Sequence, residues 1–272
     1  MKAAASSHAF ARAVRRSALR MVHAARASHI GSALSIADIV AVLYHDVLKI
    51  DPADPRDPQR DRFILSKGHA CVAVYAALAE RGFFPRERLA TYGQDHSELM
   101  NHISHHVPGV EFSTGSLGHG LPFGVGKALA ARWRAQAWRT FVLLSDGEWG
   151  EGSNWEACLF AAHHRLDNLV GIVDYNKLQS LTTVADTLGL EPLADKLAAF
   201  GWAVREVAGH DHAALRAALS GAPWTPGKPS MLIAHTTKGR GVSYMENAVK
   251  WHYSSPDDAQ LAQALAELES GT

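Results

Sequence analysis

The fold is decided by residues 140–178, TFVLLSDGEWGEGSNWEACLFAAHHRLDNLVGIVDYNKL. Apolar runs at 140–144 and 169–173 flank a segment with helical character. Asp146 follows the first run and Asn176 follows the second. Strand, helix and strand in this order predict a βαβ unit, in which the second strand returns parallel to the first.

The turns that follow the two strands of such a unit lie at the same edge of the sheet. Asp146 and Asn176 can therefore converge, although they are thirty positions apart. A carboxylate and an amide oxygen suit Mg²⁺, which keeps few protein ligands and binds phosphate oxygens and water besides. The pair predicts a site for a metal-bound diphosphate, while ordinary turn chemistry stays open as an alternative because Asp-Gly and Asn are common in turns.

Length and composition predict one α/β domain over residues 1–272. Of these residues 47% are hydrophobic, which is enough to bury a large core. Further strands are expected at 62–65, 202–207 and 230–234, with helices between them. Alternating strands and helices predict a doubly wound, mainly parallel sheet with helices on both faces and with ligands outside the carboxyl ends of the strands.

The charge balance argues against polyanionic partners. Basic and acidic residues number 27 each, so there is no net field to attract nucleic acid or a membrane surface. No segment approaches the apolar length of a membrane span, and Met1 to Arg20 lacks a secretory apolar core. We therefore expect a cytoplasmic enzyme, with Cys71 and Cys158 as buried, reduced thiols.

The amino-terminal part is expected to hold two helices. The first is predicted over residues 8–27, and the second runs from about Ser35 to Val47, with Ser35 as its cap and Asp38 at the reciprocal capping position. His29 then falls in a short Gly-containing connection between them.

Two further segments could approach a phosphate. The predicted strand at 62–65 is followed by a turn with Gly68 and His69 that opens a helix, where backbone amides can face an anion. A Gly-rich loop, 108–120, precedes a helix at 121–133 and allows close approach of the backbone to a ligand. Histidines are frequent around these segments (His96, His102, His105, His106 and His119). A zinc site stays an outside alternative there, although paired cysteines are lacking.

Taken together, these motifs resemble the thiamine diphosphate motif and, over almost the whole chain, the amino-terminal, diphosphate-binding part of transketolase. They resemble still more the smaller subunit of transketolases that are split into two chains. The resemblance rests on seven segments: 28–32, 61–69, 108–120, 146–152, 174–179, 191–193 and 236–252.

The resemblance implies roles for individual residues. Asp146, Asn176 and the backbone carbonyl of Leu178 would bind Mg²⁺. The diphosphate and thiazolium would be lined by His69, Gly115, Leu117, Gly147 and Glu148. The substrate-facing histidines, which bind sugar hydroxyls and assist proton transfer, would be His29, His102 and His252. Carboxylates near a subunit interface would be Glu151 and Glu156. Three sites depart from the family pattern. Ser145 replaces a Gly, His119 stands where Gln is common, and Leu121-Pro122-Phe123 differs from the usual smaller residues.

The implied activity is that of a thiamine diphosphate- and Mg²⁺-dependent transketolase, which transfers a two-carbon ketol unit from a ketose phosphate to an aldose phosphate. No second α/β unit follows residues 230–252 to hold the aminopyrimidine, so the resemblance implies a separate partner chain with the pyrimidine domain and a heterotetramer with two copies of each. Two alternatives stay open. One is a subunit of another thiamine diphosphate enzyme, of the 2-oxo acid dehydrogenase or 1-deoxyxylulose-phosphate synthase type, and the other is a catalytically silent regulatory subunit.

Overall fold

A computed structural model of the protein describes residues 5–271. The described part excludes residues 1–4 and Thr272. The predicted domain and the segment from Met1 to Arg20 both begin within the excluded residues 1–4. Five parallel strands form one sheet within it, in the spatial order β1-β2-β3-β5-β4. The strands are β1 (Arg62–Leu65), β2 (Thr140–Ser145), β3 (Leu169–Tyr175), β4 (Ala203–Ala208) and β5 (Ser230–His235).

Helices make up much of the remaining described chain. They are α1 (Ser7–Ala25), α2 (Ile30–Val42), α3 (Cys71–Arg81), α4 (Gly120–Trp133), α5 (Gly152–His163), α6 (Val184–Thr187), α7 (Leu193–Ala199), α8 (His212–Ser220) and α9 (Asp258–Ser270). A π-helical turn, Leu43–Val47, extends α2. Short 3-10 segments lie at Gly68–Ala70, Arg86–Thr91, Gly147–Gly150 and Val249–His252.

The sheet separates two apolar layers, as the alternation of side chains along each strand requires. Phe141 and Leu143 of β2 face a layer that includes α1, α2, α3 and α8. Val142 and Leu144 face the other layer, which includes α4, α5 and α7. The central strands are buried along their whole length, and the predicted doubly wound α/β fold is confirmed.

The order of the strands also positions a binding crevice. The crossovers from β1 to β3 run in one direction and place α4 and α5 on one face. The chain then passes to the edge strand β4 and returns through α8, on the opposite face, to β5. The chain after β3 leads to α7 on one face of the sheet, whereas the chain after the neighbouring β5 leads to α9 on the other face. Such a switch point opens a crevice at the carboxyl ends of parallel strands.

The predicted start of the second helix was wrong. The helix α2 begins at Ile30, because His29 adopts a left-handed backbone conformation with φ of 73° and turns the chain directly into the helix. Ser35 is therefore an interior position rather than a cap, and its hydroxyl donates to Asp174. Asp38 pairs with Arg15 instead of completing a capping box.

The expectation that no segment approaches the apolar length of a membrane span was wrong. The segment Ile30–Val47 is long and apolar enough by length and composition, with a mean hydropathy of 1.4. It is, however, 89% buried inside the protein, as a core helix is. Cys71 and Cys158 are both buried and free, as expected.

Replacing either of two glycines of α4 with alanine should have opposite effects on stability. A Cβ at Gly124 would overlap the Val142 side chain of β2, whereas a Cβ at Gly126 would meet no atom within 4 Å. We expect Gly124→Ala to lower the free energy of unfolding of the isolated chain by about 1–3 kcal/mol, because the helix must move off the sheet. Gly126→Ala should raise it by about 0.5–1 kcal/mol, because alanine favours the helix.

Urea denaturation of both variants measures this difference. Equal stabilities of the two variants would contradict the close packing of α4 on β2.

Candidate functional site

A cavity of about 260 Å³ opens at the carboxyl ends of the strands and gathers most of the predicted site residues. Turns after β1, β2, β3 and β5 contribute to its wall, as expected for the switch point. Ten predicted residues line it: His29, His69, His102, Gly115, Leu117, Asp146, Gly147, Asn176, Leu178 and His252.

The turns after β2 and β3 are joined by direct hydrogen bonds. The Asp146 carboxylate accepts from the backbone amide of Gly147 at 2.8 Å and from that of Lys177. The side-chain oxygen of Asn176 accepts from the backbone amide of Leu178 at 3.1 Å. The carboxylate and the amide oxygen predicted to bind a metal are therefore fixed in neighbouring turns.

These oxygens fit a hard divalent cation. Burial, and then the neighbouring Asp174 carboxylate, raise the pKa of Asp146 to about 7. A bound cation would reverse both effects by favouring the ionised carboxylate. Carboxylate, amide and carbonyl oxygens are the ligand types that Mg²⁺ takes from proteins.

A buried ion pair that the sequence patterns did not indicate lies behind the cavity. The ammonium of Lys67, after β1, contacts the carboxylate of Asp174 at the end of β3. Asp174 also accepts from Ser35 at 2.5 Å, from Thr236 and, at 2.9 Å, from the Asn176 amide nitrogen. Burial alone would raise the pKa of Asp174, but Lys67 and these hydrogen bonds hold it below its usual value. Because the Asn176 nitrogen donates to Asp174, the oxygen of this amide, which already accepts from the Leu178 amide, is the atom that can also bind a metal.

Lys238 is a second buried cation that the sequence patterns did not indicate. Its ammonium donates to the carbonyls of Leu178 and Gln179 at 3.0 Å each and lies 3.0 Å from His252 Nδ1. Burial, and then the charge of Lys67, lower its pKa to about 8. The signal available in the sequence was the position of both lysines, one after β1 and one after β5, at the strand ends where a diphosphate is expected.

Four histidines form one cluster around His29. Its ring centroid lies 5.1 Å from that of His69, 5.7 Å from that of His102 and 5.0 Å from that of His252. Burial is the largest cause that lowers the pKa of all four imidazoles. At His29, the nearby His102, Lys238 and Lys67 lower it further. At His252, Lys238, His29 and Lys67 do the same. The pKa falls to about 4 for His29 and about 3 for His252, so both imidazoles are neutral near pH 7 and can accept protons.

Glu148 is placed differently from the other predicted site residues. It is fully buried and does not line the cavity. Its carboxylate accepts from Ser66 Oγ at 2.6 Å, from the Ser145 amide at 2.9 Å and from the Gly118 amide at 3.2 Å. Glu148 therefore ties the turns after β1 and β2 to the Gly-rich loop, one layer behind the cavity wall. Burial raises its pKa against the effect of these donors.

The departures from the family pattern at Ser145, His119 and 121–123 leave the cavity intact, and residues 121–123 do not line it. Ser145 is the last residue of β2, a strand position that needs no glycine. His119 is exposed at the start of α4, where Nδ1 contacts the Leu117 carbonyl at 2.9 Å, and it does not line the cavity.

The zinc alternative finds no cluster to support it. Among the residues that the structure describes, no group of three or more His, Cys, Asp or Glu side chains is arranged to hold a metal ion. His105 and His106 lie side by side in a turn, with ring centroids 4.3 Å apart, and His105 contacts Ser113.

Glu151 and Glu156 lie away from the cavity. Glu151 is the residue before α5 and makes no capping bond through its side chain, and Glu156 is exposed one turn further along. Leu159 and Phe160 of the same helix are 58% and 44% exposed. The helix thus presents an apolar surface flanked by carboxylates.

Comparison with known proteins agrees with this geometry. Residues 6–269 match the family model described as the transketolase thiamine diphosphate binding domain. One subunit of the apulose-4-phosphate transketolase of Phocaeicola vulgatus is 42% identical over 254 residues, which cover 93% of this chain and 90% of that protein. The 6-deoxy-6-sulfo-D-fructose transketolase subunit SqwG of Clostridium sp. is 39% identical over 260 residues, which cover 95% and 94% of the two chains.

Solved structures show the same fold within longer chains. The transketolase from Leishmania mexicana aligns with a TM-score of 0.90 and 32% identity, over 97% of this chain and 41% of that one. The transketolase from Campylobacter jejuni aligns with a TM-score of 0.91 and 30% identity, over 97% and 42%. The chain therefore spans about two fifths of the length of these enzymes.

The lowered pKa values of the histidine cluster predict a pH dependence of stability. The unfolded chain takes up protons near pH 6.5, whereas folded His29 does so only near pH 4. The contribution of His29 to the free energy of unfolding should therefore fall as the pH is lowered from about 6.5 to 4, against the opposite contribution of Asp146, whose pKa is raised. His29→Asn, which tolerates the left-handed backbone, should make this fall shallower.

Urea denaturation at several pH values measures the slope, and NMR of the imidazole protons locates each titration. An unchanged slope in the variant, or a His29 ring that titrates near pH 6.5, would contradict the prediction.

Proposed function

The chain belongs to the transketolase family, and from this premise we propose that it is the diphosphate-binding subunit of a two-chain transketolase that uses thiamine diphosphate and Mg²⁺. The domain taken to carry this function is the whole of residues 1–272. The observation that supports the proposal best is the cavity itself, where metal-type oxygens, two buried ammonium groups and four histidines converge.

We assign the metal to the oxygens of Asp146, Asn176 and Leu178. Lys67 and Lys238 supply positive charge beside them, and together these groups suit a diphosphate that arrives with its Mg²⁺. When it is bound, thiamine diphosphate supplies a carbon nucleophile and an electron sink for cleavage of a bond next to a carbonyl. The chain's part is to hold the cofactor, orient it and exclude water from it.

We assign the histidine cluster to binding of the substrate. Neutral imidazoles at His29, His102 and His252 can donate to and accept from sugar hydroxyls. An imidazole that accepts the proton of the hydroxyl next to the scissile bond would act as a general base. Several hydroxyl-binding groups suit a polyol phosphate better than a 2-oxo acid.

Sugar phosphates are the substrate class that we infer. The two relatives compared above carry names that specify apulose-4-phosphate and 6-deoxy-6-sulfo-D-fructose. Both are named as subunits of a transketolase and are about as long as this chain. The proposed reaction is the transfer of a two-carbon ketol unit from a ketose phosphate to an aldose phosphate, in the cytoplasm.

A partner chain is needed to complete the site. The matched part of the solved enzymes is about two fifths of their length, and the relative from Phocaeicola vulgatus is named as one subunit of its enzyme. Tyr253 at the cavity mouth is 60% exposed, and Leu181, next to the lining residue Ser180, is 80% exposed. We propose that a chain with the pyrimidine domain covers this rim, and that the exposed face of α5 joins two such pairs into a heterotetramer.

Reconstitution tests the proposed activity. The chain is assayed alone and with the product of a neighbouring gene that resembles the pyrimidine and carboxy-terminal domains, with xylulose 5-phosphate, ribose 5-phosphate, Mg²⁺ and thiamine diphosphate. We expect turnover only in the mixture, because the proposed partner supplies the pyrimidine side of the cofactor site. Turnover by the chain alone would refute the two-chain assignment.

A substitution tests the metal assignment without an activity assay. Changes in groups that only orient metal ligands cost about 10–100-fold in affinity, so loss of a ligand in Asp146→Ala should weaken Mg²⁺-dependent binding of thiamine diphosphate at least about 100-fold. Isothermal titration calorimetry, in which thiamine diphosphate and Mg²⁺ are titrated into the complex of this chain with its proposed partner, measures the affinity. Asp195→Ala, which removes an exposed carboxylate on α7, is the matched control. Unchanged binding by Asp146→Ala would exclude Asp146 as a ligand.

A further inference from the structure

A second buried ionic cluster lies on the other side of the loop that carries Lys238. Its centre is the carboxylate of Asp38 on α2, which accepts two hydrogen bonds from the Arg15 guanidinium, at 2.9 and 2.6 Å. Two imidazoles contact the same carboxylate, His210 at 2.7 Å and His212 at 3.0 Å. Burial alone would raise the pKa of Asp38, but Arg15 and then the two histidines hold it well below its usual value. None of these four residues lines the cavity.

Two members of the cluster reach the backbone on either side of Lys238. The Nε2 atom of His210 accepts from the Thr237 amide at 2.8 Å, which requires that its Nδ1 carries the proton donated to Asp38. The Nε atom of Arg15 donates to the Arg240 carbonyl at 3.0 Å. One carboxylate therefore fixes, through two side chains, the residue before Lys238 and the second residue after it.

The loop is also held by hydrogen bonds that do not come from this cluster. The Lys238 carbonyl accepts from the Asn247 amide at 2.9 Å, and the Gly241 amide donates to the Glu246 carboxylate at 3.0 Å. Gly239 and Gly241 both have positive φ, 81° and 91°, and Gly239 donates to the Gly31 carbonyl of α2 at 2.9 Å. Glycine gives a loop the freedom to adopt other conformations, so external hydrogen bonds must select this one. Lys238, in turn, is only 2% exposed. Its ammonium donates to the carbonyls of Leu178 and Gln179, so the loop backbone must hold the side chain in one orientation.

On the basis of the proposed function, we infer that Asp38, with Arg15 and His210, is a positioning device that holds the Lys238 ammonium at the diphosphate end of the cofactor cavity. Asp38 touches neither cofactor nor substrate. It acts through the two side chains that bind the loop backbone, much as outer residues orient the ligands of a metal.

His212 provides a matched control for this inference. It contacts the same carboxylate and is more deeply buried than His210, but its other nitrogen contacts Ser7 of α1, at 2.9 Å, instead of the loop. A purely structural cluster would make the two histidines equivalent or make His212 the more important one. A positioning device makes only His210 matter for Lys238.

The test compares His210→Ala and His212→Ala in the full-length chain by labelling with an amine-specific reagent and peptide mass spectrometry. Loss of one buried hydrogen bond corresponds to roughly a tenfold shift in a local equilibrium. We therefore expect about tenfold faster labelling of Lys238 in His210→Ala, together with faster hydrogen exchange of the 236–241 amides. In His212→Ala both rates should stay within about twofold of the wild type. Equal labelling of Lys238 in both variants, whether slow or fast, would overturn the inference.

Cofactor binding supplies a second, independent readout. His210→Ala should weaken binding of thiamine diphosphate with Mg²⁺ in the wild-type background, and should have no further effect when Lys238→Met is already present. Additive effects would overturn the positioning role. Labelling and exchange need no cofactor, so they decide the inference even if the transketolase assignment fails.

Discussion

The site depends on one ion pair between Lys67 and Asp174, whose side chains are 1% and 0% exposed. Removing two charges from water costs several kcal/mol for each ion, and their attraction offsets this only when hydrogen bonds satisfy the remaining lone pairs. Ser35 and Thr236 meet that condition at Asp174. Because these four residues come from α2 and from the ends of β1, β3 and β5, the pair forms only when the whole carboxyl edge of the sheet is assembled. The folding of the sheet and the formation of the site are thus one event.

Two ionisable groups near this pair, Asp146 and Lys238, lack partners that offset the cost of their burial. Asp146 has its pKa raised to about 7, and Lys238 has its pKa lowered to about 8, in both cases chiefly by burial. A ligand that brings a divalent cation to the first and an anion to the second would relieve both. Under the proposed function, these opposed desolvation costs would favour a metal complex of a polyanion over either ion alone.

Sequence patterns predicted the sheet, its mainly parallel character and the convergence of Asp146 with Asn176, because apolar runs and strand-end turns are local signals. They misplaced the start of α2, since Ser35 followed by Asp38 matches a capping box, while the left-handed turn at His29 has no comparable pattern. They also missed the charged residues Lys67, Asp174 and Lys238 as a set. The Lys67–Asp174 pair joins positions 107 residues apart, and Lys238 binds the carbonyls of Leu178 and Gln179, 60 and 59 residues before it. Periodicity and propensity are local signals and do not detect such contacts. The resemblance to a family supplied the histidines of the cavity, and composition alone would not have distinguished them from the exposed His105 and His106.

The position of β5 between β3 and β4 has a consequence for the order in which the protein assembles. The strand is made of residues 230–235, yet it lies inside the sheet. During synthesis on the ribosome, β3 emerges about sixty residues before its neighbour and presents an open hydrogen-bonding edge in the meantime. A late strand that inserts between two earlier ones raises the contact order and slows folding. The edge of β3 that will pair with β5 therefore stays unpaired until β5 has been made, and an unpaired strand edge is a feature that favours aggregation of partly folded chains.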